Sequence, residues 1–315
     1  MLPSISICIP AFKRKDYIKR LLDSVAIQTY KNFEVILTDD SPDDSIELLC
    51  NSYRKNFELH YFRNSQNLNT PENWNEAVRK SNFSWIKIMH DDDWFSNKES
   101  LQQFAETISH HPGINFFFSA YTNIYEGSNY KQNKFLSPIW SFILHGNIET
   151  LISRNVIGPP SVVLYRKNDI EYDKAMKYVV DIDFYSRYCM SDSWHYINQP
   201  LINVGINEAQ VTKYTFGVAD VQLRESLLML EKKSPVIFLN TIIYDGWWRL
   251  IRNFNIKNAA NIISIGYLKE LPLVLKKMIY FQSFFSTYFL RLGIISKILM
   301  SVSYVIFRLS GLKRK

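Results

Sequence analysis

The sequence predicts an α/β fold: a Rossmann-like, mostly parallel sheet with helices on both faces, followed by a C-terminal helical region. Three observations predict it. β-prone and helical runs alternate from Ser4 to Met89 in units of about 30 residues. The most unusual polar groups fall where strands end. Beyond Phe216 the pattern becomes helical, apolar and aromatic.

Ser4 to Ile9 is a β-prone run closed by Pro10, and Tyr17, Leu21, Leu22 and Val25 follow at helical spacing. Phe33 to Thr38 is the second strand, ended by Asp39-Asp40-Ser41-Pro42-Asp43-Asp44, where turn and helix-start residues sit together. Glu58 to Phe62 reads as the third strand, Pro71 to Lys80 as a helix opened by proline, and Ser84 to Met89 as the fourth strand. Such an alternation implies right-handed parallel crossovers, and ligands collect at the carboxyl ends of strands in such sheets. Pro10, Asp39-Asp40 and Asp91-Asp92-Asp93 should therefore converge.

His90-Asp91-Asp92-Asp93 is the most informative stretch. Three adjacent carboxylates cannot all be buried ionised, so a cation or water must relieve the charge. Carboxylate oxygens suit Mg²⁺ or Mn²⁺, ions that keep some waters and bind substrate phosphates, so a metal diphosphate is the expected ligand. A solvated acidic turn before the next helix is the plain alternative.

The chain has 315 residues, is 47% apolar and carries a net charge of +7. Eight Lys and Arg but no acid lie between Leu271 and Lys315, which leaves the first 270 residues at −1. No basic stripe accompanies the body of the chain, and this argues against nucleic acid as a partner. Cys8, Cys50 and Cys189 have neither disulfide-framework nor zinc spacing, and Met1 to Pro10 lacks the pattern of a signal peptide, so a cytoplasmic location is expected. No Gly-x-Gly-x-x-Gly follows the first strand and no Gly-Lys-Ser/Thr occurs, so Rossmann cofactors and P-loop chemistry are disfavoured.

Several segments carry a family resemblance: Ser6 to Phe12, Ser24 to Tyr30, Glu34 to Asp44, Asn73 to Ala77, His90 to Trp94, Gly158 to Val163 and Asp181 to Arg187. In order and spacing, to roughly Val211, the chain resembles a family 2 glycosyltransferase of the GT-A fold. The resemblance implies inverting transfer of a sugar from a nucleotide diphosphate donor, a UDP-sugar above all, with Mg²⁺ or Mn²⁺. Asp40 then matches the residue that hydrogen-bonds the base, with Pro10 and Phe12 lining its pocket. Asp92, with Asp93, matches the metal position, and Asp91 the position near the ribose. His90 stands where the motif has its first aspartate; a neutral imidazole can coordinate a metal or donate a hydrogen bond. Asn73 and Asn75 are candidates to reach the donor, with helix capping as the alternative.

Inverting transfer needs a base opposite the leaving group. Asp181, at the start of a helical segment, is the candidate and matches the family's base, with Asp183 as runner-up and an N-cap as the structural alternative. Asp40, Asp92 and Asp181 are thus expected around one cleft. His60, His110, His111, His145 and His195 show no metal spacing, and Gly158-Pro159-Pro160-Ser161 reads as a rigid turn shaping the acceptor side.

The expected organisation is a catalytic domain over residues 1–215 and a helical, basic and aromatic region over residues 216–315. The apolar runs of the latter are broken by Lys276, Lys277, Arg291, Lys297 and Arg308. These runs are short for a spanning helix and fit helices lying on an anionic leaflet. Packing on the catalytic domain or on a second subunit, as in a homo-oligomer, is the alternative. No Gln-x-x-Arg-Trp motif marks a processive synthase. The expected role is therefore the extension of a saccharide acceptor, expected to be lipid-linked, in O-antigen or capsule assembly at the inner membrane face. The rivals are a sugar-nucleotide nucleotidyltransferase, which would want a glycine-rich loop after the first strand, and a non-catalytic nucleotide-sugar binding protein at the membrane.

Overall fold

The structure, a computed structural model, describes residues 2–128, 130–190, 193–207 and 217–312. The first four strands, β1 (Ile5–Ala11), β2 (Phe33–Asp39), β3 (Leu59–Arg63) and β4 (Trp85–Ile88), alternate with α1 (Lys15–Ala26), α2 (Ser45–Tyr53) and α3 (Glu72–Lys80). They lie in the order β3-β2-β1-β4, all parallel. Every residue of β2 is buried, as a strand covered on both faces requires. α1 buries Ile18, Leu21, Leu22 and Val25, the stripe that its periodicity marks out. Because β2 lies on one side of β1 and β4 on the other, the sheet has a switch point beside β1, with its crevice at the carboxyl ends.

The chain continues through β5 (Asp93–Phe95), α4 (Ser100–His110), β6 (Phe116–Tyr125), β7 (Lys131–Lys134), α5 (Pro138–Gly146), β8 (Val163–Arg166), α6 (Val180–Tyr188) and β9 (Trp194–Ile206). The sheet extends from β4 as β8-β6-β9-β5, with β7 on β6. Here β8 is antiparallel to β4 and β6, β5 to β9, and β7 to β6, whereas β6 and β9 are parallel. The parallel pattern therefore holds for the first four strands and becomes mixed beyond them. Antiparallel neighbours need no crossover helix, so the strand–helix rhythm stops there.

The chain forms two compact units. The first, which holds the whole sheet, comprises Met1–Phe142, Val156–Met176 and Asp183–Gln210; the second comprises Ile143–Asn155, Lys177–Ile182 and Val211–Lys315. The second unit thus takes in two earlier segments as well as the tail that a boundary at 215/216 would assign to it. Its helices are α7 (Ala219–Glu231), α8 (Thr241–Asn253), α9 (Ala259–Ile263), α10 (Leu273–Ser283), α11 (Thr287–Arg291) and α12 (Gly293–Leu312). They close over a core of Leu223, Phe238, Tyr244, Trp247, Trp248 and Met278. Trp248 Nε1 donates to Ser296 Oγ at 3.0 Å and Tyr244 shares a 2.7 Å hydrogen bond with Ser303, tying α8 to α12.

Candidate active site

In the first unit the ends of β1, β2 and β4 carry the polar groups. Asp40 follows β2 and is buried. It accepts hydrogen bonds from Asn64 Nδ2 at 2.8 Å and from the backbone N–H groups of Leu68 and Asn69 at 3.0 Å each, so it organises the loop after β3. Asn64 Nδ2 also donates to Asn73 Oδ1 at 3.0 Å. The Asn73 amide in turn donates to Ala11 O and Thr38 O, both at 3.3 Å, stitching the ends of β1 and β2 together. Asn73 is therefore a brace beneath the edge, with its donors spent on backbone. Asn75 is likewise occupied, exchanging hydrogen bonds with the backbone of Tyr172 at 2.9 Å in both directions. Pro10 lies in the β1–β2 register opposite Thr38. Phe12 is 43% exposed, with Lys13 Nζ 4.8 Å from its ring centre, so an aromatic face and a cation stand beside Asp40's strand end.

The acidic run departs from β4 and enters β5. Met89 N donates to Cys8 O at 2.9 Å and His90 N to Ser161 Oγ at 2.9 Å, which holds the turn against β1 and the segment before β8. The His90 ring lies against Trp74, with centroids 4.6 Å apart. Asp91 is gripped by the Arg14 guanidinium, Nε to Oδ2 at 2.7 Å and Nη2 to Oδ1. Arg14 Nη1 also approaches Asp92 Oδ2 at 3.4 Å, and Asn207 Nδ2 donates to the same oxygen at 3.2 Å. Arg20 Nη2 donates to the Asp92 carbonyl at 2.8 Å while its guanidinium stacks 3.9 Å from the Trp94 ring centre and pairs with Glu126 at 2.9 Å. Asp93 accepts from Gly205 N at 3.2 Å across the β5–β9 pairing.

Burial sets the electrostatics here. It pushes the Asp91 carboxyl up to about 7 although Arg14 works against it. Burial first, and then the charge of Asp92, raise Asp93 well above the usual carboxylate range. Burial lowers His90 to about 4, so the imidazole is neutral at physiological pH. Beneath the cluster the fully buried Lys87 donates to the carbonyls of Ser161 and Val163, and burial lowers it to about 7.

His90, Asp92 and Asp93 bring their ligand atoms within 4.8 Å of one another. His90 Nε2 is shut off from solvent and has no hydrogen-bond partner among the described residues. A buried nitrogen left unpaired beside two carboxylates is costly, and a divalent cation would satisfy it and favour ionised carboxylates together. The residues therefore fit Mg²⁺ or Mn²⁺, with His90 taking a ligand place beside Asp92 and Asp93, while Asp91 is committed to Arg14.

Asp181 belongs to the second unit. It lies in the first turn of α6, one residue inside the helix, and accepts from Asn155 Nδ2 at 2.7 Å and from Ile182 N at 2.8 Å. Burial raises its carboxyl to about 6. Asp183 is in the first unit, is fully buried, and is paired with Arg187 at 2.8 Å, so its charge is already committed. Sequence reasoning missed Arg14, Arg20, Asn64 and Asn207. For Arg14 the available signal was its position, three residues after β1 at the same sheet edge. The other three are recognised only through contacts distant in sequence.

Residues 6–169, just over half of the chain, match the family described as Glycosyl transferase family 2. A glycosyltransferase of Haemophilus influenzae, itself uncharacterised, is 27% identical over 207 residues; the match covers 62% of this chain and 66% of that relative, just under two thirds of its length. Among solved structures, S. aureus TarS 1-349 in complex with UDP-GlcNAc is similar with a TM-score of 0.56 and 18% identity, over 79% of this chain and 81% of that one. The mannosyltransferase PcManGT from Pyrobaculum calidifontis, in complex with GDP-Man and Mn²⁺, is similar with a TM-score of 0.57 and 12% identity, over 100% of this chain and 89% of that one. At these identities the likeness to both structures is one of fold.

Proposed function

Because the chain belongs to glycosyl transferase family 2, we propose that it transfers one sugar from a nucleoside diphosphate sugar to a saccharide acceptor, with inversion at the anomeric carbon. The observation that carries this reading is the gathering of His90, Asp92 and Asp93 at the switch-point edge of the sheet. Mg²⁺ or Mn²⁺ bound there supplies positive charge against the leaving diphosphate. The mixed imidazole and carboxylate donor set favours Mn²⁺ of the two.

The remaining roles fall to the chain's own groups. Phe12 offers a stacking face and Pro10 a wall for the base, while Asp40 has one more acceptor site to direct at a base N–H. Arg14 and Asp91 order the ribose side. Asp181 takes the proton of the acceptor hydroxyl as its oxygen bonds to the anomeric carbon. The bond from that carbon to the diphosphate oxygen breaks, and its electron pair leaves with the nucleoside diphosphate. A UDP-sugar is the expected donor, and the UDP-GlcNAc bound to S. aureus TarS supports that class. The GDP-Man and Mn²⁺ of the Pyrobaculum enzyme support the metal.

The acceptor is a lipid-linked saccharide of surface-polysaccharide assembly, met at the inner face of the cell membrane. Tyr280, Phe284, Tyr288, Ile294 and Ile298 of α10 to α12 and the turn between α10 and α11 stand at least 57% exposed, in a stretch rich in Lys and Arg and free of acids. No helix among the described residues is long and apolar enough to cross a membrane. Interfacial attachment fits this composition.

Incubation with UDP-, GDP- and dTDP-sugars and polyprenyl diphosphate-linked saccharides tests the proposal. The expected product is the acceptor plus one sugar, of inverted anomeric configuration by NMR, and absent with EDTA. Release of pyrophosphate from a nucleoside triphosphate and a sugar phosphate would instead establish a nucleotidyltransferase.

A further inference from the structure

Lys87 and Ser161 are both fully buried, and both belong to the first unit. Lysine is among the residues least often buried, because its ammonium must find a partner for every proton it takes out of water. Lys87 finds three. The β4–β8 register runs over Trp85–Arg166 and Ile86–Tyr165. One residue further along β4, the Lys87 ammonium donates to the carbonyl of Val163 at 3.2 Å and to that of Ser161, and it lies 5.1 Å from the Phe104 ring centre. A side chain thus continues the tie between β4 and the segment ahead of β8. An apolar residue of similar length would fill the same space without the desolvation cost. What the ammonium adds is the placement of two carbonyls.

Ser161 is placed as tightly. It stands in a single 3-10 turn, Pro160–Val162, behind two prolines whose rings fix φ. Val162 N donates to Pro159 O at 3.0 Å and closes the turn. With the Ser161 carbonyl held by Lys87, the side chain keeps one rotor. Its hydroxyl accepts from His90 N at 2.9 Å, and a hydroxyl then has a single proton to give. The Ser161 side chain hydrogen-bonds Asp93, whose Oδ1 is held by Gly205 N at 3.2 Å. One hydroxyl therefore touches the backbone of one member of the His90, Asp92 and Asp93 group and the side chain of another.

We propose that Ser161 is a positioning residue of the cation site, with Lys87 as its anchor: its hydroxyl sets the His90 imidazole and the Asp93 carboxylate relative to one another, so that both reach one cation. The assignment rests on the reading of His90, Asp92 and Asp93 as cation ligands. Mg²⁺ tolerates little error in ligand position. Residues that orient ligands from behind are commonly worth about 10–100-fold in metal affinity.

Electron paramagnetic resonance of Mn²⁺ bound to the full chain tests it, with the ¹⁴N spin-echo modulation of a coordinated imidazole as the second readout. The unmodified chain should bind Mn²⁺ and show that modulation. Ser161→Ala keeps the carbonyl that Lys87 holds. At a temperature where it remains folded, it should weaken Mn²⁺ by about 10–100-fold and lose the modulation, with metal-free UDP affinity within twofold. Lys87→Met should also weaken Mn²⁺, and the double variant should match Ser161→Ala within twofold, since both changes act through one hydroxyl. Unaltered Mn²⁺ affinity and modulation in Ser161→Ala overturn the positioning role, as does loss of metal-free UDP binding alongside Mn²⁺. Additive losses in the double variant overturn Lys87 as the anchor. An unmodified chain that binds no Mn²⁺, or binds it without nitrogen modulation, would instead overturn the cation site itself.

Discussion

Gly205 offers a sharp perturbation of the edge that carries His90, Asp92 and Asp93. It lies in β9 directly after Val204, the register partner of Asp93, and a Cβ built there would stand 2.4 Å from the carbonyl oxygen of Asp92 and 3.2 Å from Arg20 Nη2. The first contact is with backbone, which cannot rotate away as a side chain end can. Gly205→Ala must therefore push Asp92 outward, shear the β5–β9 pairing, or break the Arg20 hydrogen bond. Overpacking of this kind costs about 1–3 kcal/mol, which at roughly 2–4 °C per kcal/mol for a chain of this size lowers Tm by about 2–12 °C. The functional loss should exceed the loss of stability, because a ligand oxygen displaced by about 1 Å weakens a cation site steeply. Calorimetric titration with UDP in the presence and absence of Mn²⁺, at a temperature where the variant remains folded, separates the two effects. The expected result is metal-dependent affinity down at least tenfold with metal-independent affinity unchanged. Undiminished UDP–Mn²⁺ affinity in a variant with unchanged Tm would refute the packing argument.

Asp181→Asn should cut transfer by about 10²–10⁴-fold, the usual worth of a general base, with UDP binding retained; unchanged turnover removes Asp181 from the mechanism. A carboxyl in the proposed role of base is competent once deprotonated, and burial raises Asp181 from 3.8 to about 6. Turnover should therefore rise with pH through about 6, with about a tenth of its plateau at pH 5, whereas a flat profile from pH 5 to 7 contradicts that role. His90→Phe keeps an aromatic ring against Trp74 and deletes the unpaired Nε2; Mn²⁺ affinity by electron paramagnetic resonance should fall at least tenfold without loss of Tm, and unaltered affinity would exclude His90 as a ligand. The full chain should sediment with phosphatidylserine-containing vesicles at low salt and be released at high salt. Recovery in the supernatant under both conditions would count against membrane attachment.

The first four strands were legible because parallel strands buried on both faces are apolar runs, and crossover helices punctuate them at regular intervals. The same rule located Asp40 and His90 to Asp93, since ligand groups in such sheets sit at carboxyl ends. The antiparallel half, with β8 inserted between β4 and β6, follows no such rhythm. Long-range partners were illegible for a different reason. Arg14 meets Asp91, Arg20 the carbonyl of Asp92, and Gly205 the same carbonyl only after the chain has folded, and nothing local in the sequence encodes those encounters. Asn73, at the start of α3, reads as a candidate to reach the donor, and that its amide donates to the carbonyls of Ala11 and Thr38 is seen only in the fold. Asp183, the runner-up for the base, pairs with Arg187 one helical turn later, and that ion pair too is seen only in the fold.

The central claim is that a divalent cation held by His90, Asp92 and Asp93 binds a nucleoside diphosphate at the carboxyl edge of the sheet. Thermal-shift titration of the unmodified chain and of Asp92→Asn with UDP, GDP and dTDP, each with and without Mn²⁺, measures this most directly. A rise in Tm with one nucleotide that requires Mn²⁺ and disappears in Asp92→Asn is the predicted result. Stabilisation by nucleotide that is the same without metal, or that survives in Asp92→Asn, would contradict it.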